Sequence, residues 1–359
     1  MSMETSKRII DSLCEYLKEG NVQTFTLIIH GGEPFLWHFD NYNFLFDYVA
    51  KKNEEYNLQI NIIVQTNGFL INSDLVNLFI KYKIPLGISI DGPKELHDKY
   101  RITHNNKPSY NKIIKNLYSI LEWGYDRNLI GLLSVVDPTF DVQSYFNWIK
   151  TLPINRINVL WPIEFNYNNT PWDYFHLEKD FYIRNPLYGK WFADLFSIWF
   201  REDDPDIFIK SFYEIITLKL GSKSHSDSLV NDELAMLVID TNGDIEYHDY
   251  FRAFKDGSIK TSYTIFKDKI RDVENDLIFA KCLHLKHQLP RICTHCEQVA
   301  VCGGGFLPGR MKDNVNDFSR YNSILCYDQK YFFEKINSIL NAALLDVNNA
   351  SYSEQFQPA

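Results

Sequence analysis

The sequence predicts an α/β protein built on a parallel β-sheet, and three observations support this fold class. Apolar runs suited to strands alternate with amphipathic stretches suited to helices through the first 160 residues. The strand runs are continuously apolar, as in strands that are covered on both faces. The length of 359 residues and the 45% hydrophobic content allow a large buried core. From the residues alone, the sheet is either open and doubly wound or closed into a barrel.

The predicted elements alternate in a regular order. Helices are expected near residues 3–19, 40–52, 71–81, 109–123 and 140–150. Strands are expected between them, near residues 24–30, 58–66, 85–90, 129–136 and 155–160. The apolar residues of the first helix fall on one face: Ile9, Ile10, Leu13, Cys14 and Leu17. Cys14 is therefore predicted to lie in the core.

The second half of the chain changes character. Residues 166–231 are rich in Trp, Tyr and Phe, and their pattern predicts a helical bridging layer. Strand-like runs on either side of Asn242-Gly243 predict a β-hairpin, because this dipeptide readily forms the tight turn between paired strands. A cysteine-rich segment and a helix near 328–345 follow, and the polar last residues are expected to fray.

Composition narrows the functional classes. The formal net charge is −9 and the isoelectric point is about 5.6, which disfavours nucleic acids and anionic membranes as partners. The sequence has neither a secretory signal nor an apolar run of about 18 residues, so a cytoplasmic protein is expected. Five of the six cysteines fall between residues 282 and 326. In such a protein this clustering predicts metal or redox chemistry rather than disulfides.

Three loops that follow successive predicted strands combine glycines with short polar residues. They read His30-Gly31-Gly32-Glu33-Pro34, Gln65-Thr66-Asn67-Gly68 and Ser89-Ile90-Asp91-Gly92-Pro93. Ligands of parallel sheets bind beyond the carboxyl ends of the strands, and glycines let a ligand approach the backbone. The carboxylate can meet an ammonium group, and the other polar side chains suit an amine or sugar hydroxyls. Each loop alone is explained by a turn, but three loops on one rim predict a ligand site.

This set of loops resembles the radical S-adenosylmethionine (SAM) enzymes, in particular the branch with a C-terminal SPASM or related domain that modifies ribosomally made peptides. The resemblance covers roughly residues 1–335 and rests on the motifs HGGEP, QTNG and SIDGPKELHDKYR. It implies an incomplete parallel (β/α) TIM-type barrel followed by a small cysteine-rich domain, made of a β-hairpin and cluster loops. The implied parts are a partial barrel at 1–165, the bridging region at 166–231, a SPASM-like domain at 232–345 and a tail at 346–359.

The resemblance also assigns roles to individual residues. Gly31, Gly32 and Glu33 would hold the amino group of the methionyl part of SAM. The remaining pocket residues would be Thr66, Asn67, Ser89 and Asp91. In complete enzymes of this family, a reduced [4Fe–4S] cluster cleaves SAM to a 5′-deoxyadenosyl radical, which abstracts a hydrogen atom from a precursor peptide. A crosslink or an oxidation of the peptide follows. The residues themselves do not identify a general acid or base.

Four cysteines have the spacing of a metal or cluster site: Cys293, Cys296, Cys302 and Cys326. Four thiolates satisfy either a tetrahedral zinc ion or a [4Fe–4S] cluster, and the spacing alone leaves both open. The Gly303-Gly304-Gly305 run supplies a tight turn and backbone N–H groups that can face sulfur. Cys282 with His284 and His287 offers a weaker alternative zinc site.

Comparison with the SPASM pattern reduces the number of expected clusters. That pattern has seven cysteines for two auxiliary clusters, whereas His248 and Phe306 stand here at two of its cysteine positions. The resemblance therefore implies one auxiliary [4Fe–4S] cluster. His248 is predicted to be a surface or hairpin residue and not a ligand.

The catalytic cluster of the family needs a Cys-x3-Cys-x2-Cys loop before the HGGEP strand, and only Cys14 precedes residue 282. The SAM pocket is thus predicted to be present while the ligands of the catalytic cluster are absent. Without a preceding strand, residues 24–30 would form an exposed apolar sheet edge, which natural proteins avoid. We hypothesise that the start is truncated or was set late, or that an upstream fragment or partner chain completes the barrel. The upstream reading frame tests this hypothesis.

Two other functions stay open at this point. The first is a catalytically silent peptide-binding partner or paralogue that keeps the pocket or the cysteine-rich domain. The second is a zinc-stabilised binding module without a redox role.

Overall fold

Six strands form one parallel sheet whose spatial order follows the sequence. They are β1 (Thr24–Ile29), β2 (Gln59–Thr66), β3 (Leu86–Ser89), β4 (Ile130–Val135), β5 (Arg156–Leu160) and β6 (Phe208–Ile209). Strands that neighbour in both sequence and space, with helices between them, are the repeating units of a (β/α) barrel. Within the described residues no pairing joins β6 back to β1, so the barrel is incomplete, as predicted.

The computed structural model describes residues 1–222, 229, 235–312 and 317–355, with the backbone alone for 346–355. The predicted boundary between residues 231 and 232 lies outside the described residues, as do the first residues of the predicted hairpin segment. No helix in the described ranges is long and apolar enough to cross a membrane.

One helix precedes the first strand, and five more connect the first five strands. They are α1 (Met3–Glu19), α2 (Phe39–Tyr56), α3 (Ser73–Tyr82), α4 (Lys94–Tyr100), α5 (Tyr110–Glu122) and α6 (Val142–Thr151). Five of them match the predicted helices within a few residues. The sequence analysis missed α4, because a single short helix after a Gly-Pro turn carries too little periodic pattern. Cys14 is 2% exposed within the apolar face of α1, which confirms its predicted place in the core.

The first strand forms one edge of the sheet. β1 pairs with β2 along its whole length, and its residues alternate between exposed and half-buried. Ile28 is 46% exposed, which is unusual for a large apolar side chain in a parallel sheet. The expectation that 24–30 forms an exposed apolar edge is therefore confirmed for this part of the chain.

The predicted bridging region is helical, with one exception. It contains α7 (Pro171–Tyr174), α8 (Lys179–Arg184), α9 (Leu187–Glu202) and α10 (Lys210–Lys219). The two-residue strand β6 lies before α10 and extends the sheet, and a strand of that length has no recognisable pattern in sequence. Helix α9 packs closely on the last helix of the chain: a Cβ at Gly189 would lie 2.4 Å from the Asp328 carbonyl oxygen.

The cysteine-rich part is made of short elements around a second small core. They are β7 (Val238–Ile239), β8 (Ile245–Glu246), α11 (Ile270–Val273), α12 (Leu277–Cys282), α13 (Val299–Cys302) and α14 (Cys326–Gln355). β7 and β8 are antiparallel, and Gly243 has a φ of +93° in the turn between them, which confirms the predicted hairpin. Phe251, Leu307 and Phe318 belong to the core of this part. Helix α14 begins at the last cysteine and continues past the predicted end at 345.

Candidate functional site

The Glu33 carboxylate joins the loops that follow β1 and β2. Its Oε1 accepts hydrogen bonds from the Thr66 hydroxyl at 2.5 Å and from the Phe35 amide at 3.0 Å, and its Oε2 accepts one from the Asn67 amide at 3.0 Å. A carboxylate offers about four lone-pair positions, so these contacts leave one of them available. Sequence reasoning placed Glu33, Thr66 and Asn67 at one rim, and the structure brings them into direct contact.

The two glycines before Glu33 lie at an open surface. Gly31 has a φ of +96°, a conformation that favours glycine, and a Cβ at either Gly31 or Gly32 would meet nothing within 4 Å. Contacts within the described chain therefore do not explain the bare backbone at Gly32. Open backbone beside a partly satisfied carboxylate is the surface that a ligand with an ammonium group requires.

The next strand end adds polar groups to the same rim. Gln65 Nε2 donates to the Ser89 hydroxyl at 3.1 Å, so the Gln65 side chain reaches from β2 to the last residue of β3. This crossing requires Gly87, because a Cβ there would lie 1.9 Å from Gln65 Oε1. The exposed Asn67 uses its Oδ1 to accept from the Phe69 amide. Ser89 and Asn67 are thus held in place by neighbours of the loops.

Asp91 has a structural partner that the sequence did not identify. Arg101 donates to both of its oxygens, at 2.5 and 3.2 Å, and the Val135 amide donates to Oδ1 at 3.0 Å. The Asp91 amide in turn donates to His97 Nδ1 at 3.2 Å, and His97 Nε2 lies 2.9 Å from the Ser109 hydroxyl. These contacts shape the loop after β3 and occupy the Asp91 carboxylate.

His97 is held in its neutral form. It is fully buried, and this burial lowers its pKa to about 4 despite the nearby Asp91 carboxylate. Because Nδ1 accepts a hydrogen bond, the proton of the neutral ring is on Nε2 and is donated to Ser109. Ser109 then donates its own hydroxyl proton to the Arg101 carbonyl at 2.6 Å. Asp91, His97 and Arg101 of the motif SIDGPKELHDKYR, together with Ser109, therefore form one hydrogen-bonded unit.

The end of β8 brings a second carboxylate toward the loop that follows β1. Burial alone would raise the pKa of Asp249, but the hydrogen bond from His248 and the charges of His248 and His30 lower it below its usual range. His248 Nδ1 lies 2.8 Å from Asp249 Oδ1 and 3.1 Å from the Tyr250 amide. Sequence reasoning missed Asp249, for which the position directly after His248 was the only signal.

His248 itself lies in the interior. It is 4% exposed, so the surface alternative of the prediction was wrong, whereas its position just after β8 agrees with the hairpin alternative. Its Nε2 has no hydrogen-bond partner among the described residues. Its ring lies 3.6 Å from the Tyr250 ring, measured between centroids, and Tyr250 lies 4.3 Å from Phe306. The two positions at which the SPASM pattern has cysteines are thus joined here by aromatic packing.

The four predicted cysteines line a single cavity that is partly open to solvent: Cys293, Cys296, Cys302 and Cys326. Burial raises the pKa of Cys302 to about 12, although the Gly304 amide donates to its sulfur and lowers the pKa slightly. Burial likewise raises the pKa values of Cys293 and Cys326. Metal binding must therefore displace protons from these thiols.

The spacing of these sulfurs bears on the kind of metal site. Within the described ranges, no group of three or more His, Cys, Asp or Glu side chains converges on one metal-ion position. A tetrahedral zinc ion with bonds of about 2.3 Å requires sulfurs about 3.8 Å apart, whereas a cluster is larger and separates its ligands further. The four sulfurs share one cavity, and four thiolates are the ligand set of either a zinc ion or a [4Fe–4S] cluster. Among the described residues, the alternative zinc ligands Cys282, His284 and His287 do not converge on one metal-ion position either. The ring centroids of the two histidines lie 6.4 Å apart, and Cys282 is buried.

A parallel sheet with a polar rim at its carboxyl edge, and a cavity lined by four cysteines in the C-terminal part of the chain, define the fold as an incomplete parallel (β/α) barrel with a cysteine-rich C-terminal part. No family model matches the sequence. A cysteine-type anaerobic sulfatase-maturating enzyme from Clostridium novyi is 28% identical over 323 residues, which cover 87% of this chain and 80% of that enzyme. A serine-type anaerobic sulfatase-maturating enzyme from Bacteroides thetaiotaomicron is 23% identical over 347 residues, covering 94% of this chain and 81% of that enzyme.

Two further comparisons agree. The radical SAM cyclopropyl synthase TigE from Paramaledivibacter caminithermalis is 30% identical over 148 residues, 41% of this chain and 29% of that enzyme. The solved structure of native anSMEcpe with bound AdoMet and Kp18Cys peptide has a TM-score of 0.79 at 20% identity, and covers 96% of this chain and 91% of that one. The chain is thus a homologue of the radical SAM enzymes that modify peptides, and the predicted resemblance is confirmed.

Proposed function

We propose that this chain is the cofactor- and substrate-binding body of a radical SAM peptide maturase. The observation that carries the proposal is the Glu33 carboxylate, which ties two strand ends together and keeps one lone-pair position beside the open Gly31-Gly32 backbone. An ammonium group needs such an acceptor, and a ligand approaching the backbone needs such a space. The homologues and the structural neighbour with bound AdoMet and peptide support the same assignment.

Each rim residue has a proposed part in binding. Gly31, Gly32 and Glu33 bind the methionyl ammonium group, and Thr66 and Asn67 fix the Glu33 carboxylate in position. Ser89 and Asp91 line the pocket, the former through its hydroxyl and the latter by anchoring its loop to Arg101. When bound and reduced, the cofactor supplies hydrogen-atom abstraction from a peptide residue, and the protein supplies orientation and exclusion of water.

We assign Asp249 as the proton acceptor of the peptide reaction. After a hydrogen atom has been removed, an oxidation or crosslink of the peptide must also release a proton and an electron. Asp249 is ionised and half-exposed, and it lies within electrostatic reach of His30 next to the proposed SAM loop. A carboxylate in that position can take the proton.

The electron has a proposed acceptor in the cysteine cavity. Four cysteines around one cavity fit a single auxiliary [4Fe–4S] cluster, held by Cys293, Cys296, Cys302 and Cys326. This proposal keeps the predicted count of one cluster, because His248, Tyr250 and Phe306 pack together where further ligands would be needed.

The catalytic cluster must draw its ligands from elsewhere. Cys14 is buried in the core, and the other cysteines lie in the C-terminal part, so residues 1–281 offer no cysteine to the rim. The free edge of β1, with Ile28 exposed, is the position at which a further strand can pair. We propose that a preceding segment or a partner chain pairs there and supplies the three cysteines.

A catalytically silent peptide-binding partner is the second candidate. The observation that favours it is that Cys14 is the only cysteine before residue 282, so that part of the chain has no Cys-x3-Cys-x2-Cys loop. The two candidates differ in one product: the maturase, once assembled with a strand that carries Cys-x3-Cys-x2-Cys, forms 5′-deoxyadenosine under anaerobic reduction. A silent partner binds peptide in the same assembly and forms none.

Equilibrium dialysis of the chain with SAM tests the pocket directly. We expect Glu33→Gln to weaken SAM binding about tenfold or more, because a hydrogen bond to a charged group contributes about 1.5–3 kcal/mol. Glu122→Gln is the matched control, because Glu122 is an exposed carboxylate at the end of α5. The chain continues from there into the amino end of β4, so Glu122 lies away from the rim at the carboxyl ends of the strands. Equal SAM affinity of wild type and Glu33→Gln would reject the proposed pocket.

A further inference from the structure

Arg310 is a fully buried cation without a carboxylate partner among the described residues. Its side chain is 0% exposed, and within the described part of the chain its guanidinium donates only to backbone carbonyls: Gly304 at 2.9 Å, Gly303 at 2.6 Å, Gly305 at 3.0 Å and Gln288 at 3.5 Å. Carbonyl dipoles satisfy the N–H groups but do not neutralise the charge. A buried charge without a counter-charge is costly, so a negative partner is to be expected nearby.

The three consecutive glycines form the cage around this cation. Gly303, Gly304 and Gly305 have φ values of +58°, +84° and +78°, which favour glycine and turn their carbonyls toward Arg310. A Cβ at Gly304 would lie 2.6 Å from the guanidinium Nη2. The glycine run therefore holds Arg310 in place, in addition to its Gly304 N–H, which faces the Cys302 sulfur.

Two cysteine sulfurs lie on the other side of the cage. Burial lowers the pKa of Arg310, and the charges that Cys302 and Cys293 carry when deprotonated raise it, so both sulfurs lie within electrostatic range of the guanidinium. Both belong to the cavity lined by the four cysteines. A cluster bound by four thiolates would carry net negative charge, which is the counter-charge that Arg310 does not find among the residues the structure describes.

We propose that Arg310 is the buried counter-cation of the cysteine-bound cluster and that it raises the reduction potential of that cluster. The inference depends on the proposed [4Fe–4S] cluster. One-electron reduction adds a negative charge to the cluster, and a fixed buried cation stabilises this reduced form more than the oxidised form. Arg310 thereby favours transfer of an electron from the peptide radical to the cluster, with the electron ending on iron and the proton on Asp249.

A redox titration of the anaerobically reconstituted full chain tests the proposal. Dithionite supplies the electrons, and the electron paramagnetic resonance signal of the reduced cluster reports its amount at each applied potential. We expect Arg310→Gln to lower the ratio of reduced to oxidised cluster about tenfold or more at fixed potential, equivalent to a shift of about 59 mV to lower potential. Arg310→Lys keeps the charge and should retain most of the wild-type potential. Lys330→Gln is the matched control, because this exposed cation also borders the cavity but is screened by water.

The outcomes separate this inference from the proposed function. Wild-type chain that takes up no iron and sulfide rejects the cluster itself. Wild-type chain and Arg310→Gln with equal cluster content and equal potential reject the counter-cation alone and leave the cluster standing. If Arg310→Gln loses its iron while Arg310→Lys keeps it, the charge requirement is supported. If both variants lose iron, Arg310 is a scaffold of the glycine loop and the electrostatic role is rejected.

Discussion

Acidification should destabilise the chain through His97, and replacing this residue by glutamine should remove part of that effect. His97 has a pKa of about 4 in the folded protein, against an ordinary value of 6.5. As the pH falls below 6.5, the unfolded chain therefore binds a proton at His97 that the folded chain does not bind until the pH approaches 4. Stability from this residue is complete above pH 6.5 and is lost as the pH falls through that window.

The size of the effect follows from these two values. At pH 5, proton binding at His97 favours the unfolded state by about 2 kcal/mol relative to pH 8, from the ratio of the unprotonated fractions in the folded and unfolded states. Over the whole window the loss approaches about 3 kcal/mol, because each pH unit between the two pKa values corresponds to about 1.36 kcal/mol. A glutamine can accept from the Asp91 amide and donate to Ser109 without titrating, so His97→Gln keeps both contacts.

Urea unfolding at pH 8, 7, 6 and 5, followed by tryptophan fluorescence, measures this difference. The free energy of unfolding should fall more steeply with acidification in the wild type than in His97→Gln, by about 2 kcal/mol at pH 5. The control His104→Gln removes an exposed histidine and should leave the wild-type slope unchanged. Parallel curves for wild type and His97→Gln would show that His97 is not held neutral by burial.

Three further predictions follow from the same contacts. Gly189→Ala should lower the free energy of unfolding by about 1–3 kcal/mol in thermal or urea denaturation, because the new Cβ overlaps the Asp328 carbonyl. The control Gly131→Ala has open space at its Cβ, so its free energy of unfolding should stay within about 1 kcal/mol of the wild type. Equal losses in the two variants would contradict the steric explanation. Asp249→Asn should slow product formation by the assembled enzyme about 100-fold while SAM affinity stays unchanged, and unchanged turnover would exclude Asp249 as proton acceptor. Glu33→Gln, unlike Asp249→Asn, should weaken SAM binding in equilibrium dialysis. A dissociation constant of Glu33→Gln for SAM equal to that of the wild type would contradict the assigned contact.

The parallel sheet could be predicted because its signals are local. Each strand from β1 to β5 is a short apolar run closed by glycine or proline, and each helix between them has one apolar face. The strand-end residues Glu33 and Thr66 could be placed on one rim, because parallel strands bring their carboxyl ends together. Topology thus converts short local patterns into a common site, and the structure adds the contact between the two side chains.

The missed features depend on contacts between distant parts of the chain. Asp249 lies more than 200 residues from His30 in sequence, and no local pattern reports that the hairpin reaches the first loop. The sequence predicted one role of the Gly303-Gly304-Gly305 run, in which its backbone N–H groups face sulfur. The structure adds a second role that was not predicted: the three glycine carbonyls accept hydrogen bonds from the buried Arg310 guanidinium. His248 was predicted to be a surface or hairpin residue, and its packing against the Tyr250 ring, a contact that no sequence pattern reports, buries it.

Iron and acid-labile sulfide content after anaerobic reconstitution tests the central claim most directly. The wild-type chain should bind about four iron and about four sulfide per chain and absorb broadly in the visible range, and Cys326→Ser should lose most of both. Mössbauer spectroscopy of the same sample identifies the cluster type. A colourless protein that binds one zinc ion through the same cysteines would contradict the account and favour a zinc-stabilised binding module.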